Sequence, residues 1–108
     1  MKIVKVTYTT KAEYAEQNKS NIQKVMNDLQ VINNAGIDYK AYISEDGKTF
    51  THLALFKSEA EHKVLGELPS FKSFQEQLKI SGPEIPPKQE APVLVGSSSE
   101  VFLAHLSK

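Results

Sequence analysis

Thr49-Phe50-Thr51-His52-Leu53-Ala54-Leu55-Phe56-Lys57-Ser58-Glu59-Ala60 decides how the chain folds. Its first eight residues are β-branched, aromatic or aliphatic apart from His52, the composition of a strand, and Lys48 to Phe56 is read as one. Phe50, Ala54 and Phe56 share one face, while Leu53 and Leu55 share the other, so both faces need cover. The strand then runs straight into Ser58-Glu59-Ala60-Glu61, a capping box that opens a helix. Gly66 and Pro69 are expected to interrupt that helix before a second piece carrying Phe71, Phe74 and Leu78.

Working outward, Glu45-Asp46-Gly47 precedes this strand, and Asp-Gly suits a tight turn that requires positive φ. Ile37 to Ser44 therefore reads as its hairpin partner. Upstream, Tyr14, Ile22, Val25, Met26, Leu29 and Ile32 fall at helical spacing, and Thr10-Lys11-Ala12-Glu13 fits another capping box. The expected helix runs from Lys11 to about Asn34, with Gly36 placed for the left-handed conformation beyond its end. Lys2 to Thr9 reads as the first strand, with Val4, Val6 and Tyr8 on one face. Downstream, residues 82–92 hold four prolines and read as a proline-rich loop or arm before the last strand. That last strand is expected to start at Val93-Leu94-Val95 and to continue past Gly96-Ser97-Ser98-Ser99 as far as Leu106, although Glu100 to Leu106 also suits a short helix.

The order strand-helix-strand-strand-helix-strand defines an α+β chain: a ferredoxin-like βαββαβ antiparallel sheet with helices on one face, residues 1–108 forming a single domain. Two helices cover one sheet face only. The apolar residues on the other face then call for a second copy of the chain, and a homodimer is expected.

Composition narrows the function classes. Apolar residues make up 40% and charged residues 24%, with no run long enough to span a membrane. Lys5 interrupts the amino-terminal apolar stretch before it could serve as a secretory core, and there is no cysteine, so a cytoplasmic location is expected. The net charge is zero and the thirteen basic residues, all lysine, are dispersed, which argues against nucleic-acid or membrane partners. Without arginine the chain has no planar bidentate clamp for carboxylates or phosphates. It also has no glycine-rich phosphate loop, nucleophile elbow or cysteine nucleophile, and no cofactor is expected.

The stretch quoted above, continued through Leu68-Pro69-Ser70-Phe71-Lys72-Ser73-Phe74-Gln75-Glu76-Gln77-Leu78, resembles the dimeric α/β-barrel superfamily and its antibiotic-biosynthesis monooxygenase-like members. The likeness covers about thirty residues directly: a third strand running into a capped helix, a short break, and a Phe-x-x-Phe helical piece. The resemblance implies a two-protomer barrel and, in members that bind ligands, a pocket between sheet and helices. It extends to cofactor-independent oxygenases, haem-degrading enzymes and isomerases. The Trp that haem-degrading relatives use is missing here.

Among single residues, His52 is the candidate catalytic group, because an imidazole on an apolar central strand must be hydrogen-bonded or solvated and titrates near neutral pH. It reads either as a general base or as a structural histidine bonded across the sheet. Tyr8, Tyr39 and Tyr42 are candidate ligand-binding residues, equally readable as ordinary strand formers. His62 follows Glu59 by one helical turn and reads as a local ion pair. His52, His62 and His105 show no metal-ligand spacing, so no metal site is expected. Asn18 and Asn21 lie within one turn of the apolar stripe of the first helix and read either as facing a cavity or as merely bordering it. The expected function is a small homodimeric barrel that binds a small apolar or aromatic molecule as a cofactor-independent monooxygenase-like protein. The alternative is a non-catalytic oligomerisation or regulatory module with a packed core.

Overall fold

The computed structural model describes residues 1–98. Strand β1 (Lys2–Thr9) leads through a 3-10 turn (Ala12–Tyr14) into helix α1 (Ala15–Ile32). Then come β2 (Ile37–Ile43), β3 (Thr49–Phe56), α2 (Glu59–Glu67), α3 (Pro69–Ser81) and β4 (Ile85–Glu90). The strands form one sheet in the order β2-β3-β1-β4, every pair antiparallel. This is the ferredoxin-like arrangement, with the second helix broken in two.

Alternation on β3 sets the layers. Phe50, His52, Ala54 and Phe56 are buried beneath the helices, joined by Tyr8 from β1. Ala15, Asn18, Asn21 and Val25 of α1 face the same layer, with Leu65 of α2 and Phe74 and Leu78 of α3. Burying each large aromatic contributes roughly 1.5–3 kcal/mol. The reverse face carries Ile3, Leu53 and Leu55, all half-buried.

Several local features follow directly from the residues. Gly47 takes φ 75° in the β2–β3 turn, where the Asp46 carboxylate accepts from the amides of Lys48 and Thr49. Ser58 caps α2 by accepting from the Ala60 amide, and its hydroxyl also donates to the Glu61 carboxylate. The helical break falls at Leu68, whose extended ψ of 123° is what a following proline favours, and Pro69 starts α3. Gly66 does not break the helix; it lies within α2.

Other expectations are corrected. Thr10 is not a helix cap: its amide and hydroxyl both donate to the Lys48 carbonyl, so it ties the end of β1 to the hairpin. Asn33, not Gly36, takes the left-handed conformation after α1. Gly36 is buried instead, and a Cβ there would stand 2.9 Å from Glu61 Cγ and 3.1 Å from Lys57 Cβ.

The largest correction concerns residues 82–92, which hold a strand and not simply a loop or arm. Ile85–Glu90 pairs with β1 through Lys5↔Glu90, Val6↔Gln89, Thr7↔Lys88 and Thr9↔Ile85, with an irregularity between Thr7 and Thr9. Proline lacks an amide donor, but an edge strand needs only one ladder, and Pro86-Pro87 sits at the irregularity where pairing lapses. Val93 to Ser98 form no strand, and Val93 and Val95 are exposed. The expected continuation to Leu106, and His105, lie outside the described residues.

Candidate functional site

Strand geometry assembles the site. His52 lies opposite Val6 on β1 and Ala41 on β2, which puts Tyr8, opposite Phe50, and Tyr39, opposite Ala54, diagonally across from it on the same face. Their hydroxyls reach the two imidazole nitrogens: Tyr8 Oη is 2.7 Å from His52 Nε2 and Tyr39 Oη is 2.6 Å from Nδ1. From α1, Asn18 Nδ2 donates to Tyr8 Oη at 2.8 Å. The Phe-x-x-Phe piece of α3 closes the site from above, with the Phe74 ring 5.3 Å from His52 and Phe71 edge-on to Tyr39 at 6.4 Å.

Burial sets the protonation states. It pushes the His52 imidazole down to about 4, and the ring is 4% exposed. Burial also raises the phenols of Tyr8 and Tyr39 well above the usual range, an effect that the Asn18 N–H opposes at Tyr8. All three groups are therefore neutral at neutral pH. A neutral imidazole has one N–H and one lone pair, and both are occupied by phenols here.

Beside this network lies a cavity of about 460 Å³ between sheet and α3. Val6, Phe71, Phe74 and Leu78 give it apolar walls, Pro86 and Pro87 of β4 add a rigid side, Tyr8 and His52 supply buried polar groups, and Tyr39 supplies a half-buried one. Gln75 and Lys79, one turn apart on α3, bring polar groups to its mouth. Such a space holds a molecule of one or two rings and offers it a single polar corner.

The structure thus brings together Tyr8, Tyr39 and His52. Tyr42 is not part of the group: three residues beyond Tyr39 on the same strand, it points to the opposite sheet face and is 54% exposed. His62 lies 3.9 Å from Glu59 and stacks on Phe56, away from the cavity. Asn21 ties α1 to α3 through Gln77 at 3.0 Å. No group of three or more His, Asp or Glu suited to a metal occurs among the described residues, and no helix among them is long and apolar enough to cross a membrane. Asn18 is a site residue that the sequence does not assign; its signal is a polar side chain on the buried stripe of a helix, which requires a partner. The contribution of Pro86 and Pro87 became visible only with β4 in place.

Comparison with solved structures decides the architecture. An antibiotic biosynthesis monooxygenase superposes with a TM-score of 0.73 over 89% of this chain and 100% of its own, at 9% identity. The chain has the antibiotic-biosynthesis-monooxygenase-like, ferredoxin-like fold. An inferred antibiotic biosynthesis monooxygenase from Bacteroides thetaiotaomicron matches this monooxygenase-like fold at a TM-score of 0.78, with 13% identity over 91% of this chain and 92% of its own. One from Caulobacter crescentus gives 0.73 and 18%, over 88% and 90% respectively. No family model and no curated protein sequence matches the chain. At these identities the likeness concerns the monooxygenase-like fold alone.

Proposed function

We propose that the protein binds a small, largely apolar or aromatic molecule in the cavity beside His52, as a homodimeric, cofactor-independent monooxygenase-like protein. The observation that carries this reading is the cavity itself: about 460 Å³, apolar on most sides, ending on the neutral Tyr8–His52–Tyr39 group. An apolar recess of this size with a few convergent polar groups is the form a small-molecule site takes. Oxygenation without a cofactor needs a substrate that itself gives electrons to dioxygen. A phenol or enol qualifies, and the polar corner would hydrogen-bond its oxygen while the apolar walls hold the ring. His52 orients this corner and does not abstract a proton directly, since both its nitrogens are engaged.

The homodimer is supported by the open sheet face, where Ile3, Leu53 and Leu55 lie beside the exposed Tyr42. A native mass spectrum with added 1-naphthol tests both parts. The expected species is two 12.0 kDa protomers with one naphthol on each. A dimer that takes up no naphthol would refute the binding reading, and a monomer would refute the assembly.

A further inference from the structure

Hydrogen-bond bookkeeping around His52 assigns a direction to the network. Asn18 Nδ2 can only donate, so Tyr8 Oη accepts from it. If Tyr8 then donates to His52 Nε2, the imidazole proton sits on Nδ1 and is donated to Tyr39 Oη. Every contact is satisfied, and the Tyr39 proton remains unspent. In the other tautomer Nε2–H and Asn18 N–H both point at Tyr8 Oη, and the Tyr8 proton has no acceptor at a buried position, which is the costly case. Tyr39 Oη has no partner besides His52 among the described residues, and Tyr39 lines the cavity.

We infer that the hydrogen bonds run in one direction, Asn18 to Tyr8 to His52 to Tyr39, so that Tyr39 presents a hydroxyl proton to the cavity and selects ligands with an acceptor oxygen. This rests on the cavity being the binding site. Tyr39 is then the group that touches the ligand, and Asn18, Tyr8 and His52 are positioning residues that act through it. Burial of the three rings supports the assignment, because none of them ionises near neutral pH to reset the chain. One local alternative would reverse it. Asn18 Oδ1 is buried without a partner, and an amide turned by half a rotation would accept from Tyr8, put the proton on Nε2, and have Tyr39 donate to Nδ1 and offer the cavity only lone pairs. That rotation would exchange the stranded oxygen for a second stranded N–H beside the one that lacks a partner now, and an unpaired buried donor is the rarer case.

Nitrogen-15 spectra of the imidazole, recorded on the full chain at pH 7, distinguish the two directions without any ligand. The inference expects His52 protonated on Nδ1 with Nε2 as the acceptor, and expects the Nε2–H form to emerge in Tyr8→Phe, where the donor pinning Nε2 is gone. An Nε2–H tautomer in the wild-type protein overturns it. Toluene and acetophenone, titrated into wild type and Tyr39→Phe, then test the consequence for ligands. Acetophenone should bind Tyr39→Phe roughly three- to tenfold more weakly, with toluene unchanged. Equal changes for both probes would overturn the role of Tyr39. Should toluene itself fail to bind the wild type, the cavity reading falls, while the tautomer measurement still decides the direction of the chain.

Discussion

His52 shows how one residue couples stability to pH. Burial holds its folded pKa near 4, against about 6.5 for an unfolded histidine. Between those values the unfolded chain takes up a proton that the folded chain excludes. Stability from this source is therefore complete above about pH 6.5 and is lost as pH falls toward 4, by roughly 3 kcal/mol across the window. Urea denaturation at pH 7, 5.5 and 4.5 should show this decline in the wild type, and His52→Gln should flatten it; parallel profiles would show that His52 is not the group responsible. The carboxylates held below their usual range, Asp46, Glu59 and Glu61, are common to both proteins and do not affect the difference. Of the residues singled out in the sequence, His52, Tyr8 and Tyr39 came together because strand alternation is legible in a single chain. Grouping Tyr42 with them goes against the same rule, since residues 39 and 42 differ in parity and cannot share a face. Asn18 was out of reach for another reason: its partner lies on a different element, and helical spacing does not name it.

At the scale of elements, glycines separate crowding from conformation. Gly66 lies inside α2 with nothing near its position for a Cβ, so Gly66→Ala should stabilise the protein by about 0.5–1 kcal/mol through helix propensity. Gly36→Ala should do the reverse, at a cost of about 1–3 kcal/mol, because its Cβ would collide with Glu61 and Lys57 where β2 begins. Thermal melts of the two variants check both signs. Ser58→Ala should cost about 1 kcal/mol by removing the α2 cap, whereas the resembling Thr10 motif caps nothing. The two motifs look alike in sequence; only the competing Lys48 carbonyl tells them apart. β4 was hidden for a related reason. Four prolines in residues 82–92 read as a loop, and only pairing with β1 shows that the run is an edge strand with its Pro86-Pro87 pair at a lapse in the ladder.

For the whole molecule, the β3 alternation and the strand-to-helix junction at Ser58 carried most of the fold, since they set the layer order and the position of α2 and α3. Local pattern does not name what covers the open sheet face, which the proposed homodimer assigns to a second copy. Leu53→Lys would replace the apolar residue between Lys5 and Lys40 with a third like charge without touching the helical layer, and should shift the proposed dimer toward a single protomer in the native mass while leaving the fold intact. An unchanged dimer would place the interface elsewhere. The cavity is the central claim, and the most direct measurement of it is a 1-naphthol titration followed by amide proton–nitrogen correlation spectra. Saturable shifts should centre on Val6, Tyr8, Tyr39, His52, Phe74 and Leu78, with Ile3 and Leu55 on the opposite face unmoved. Spectra that do not change at millimolar naphthol, or that change only on the open sheet face, would contradict it.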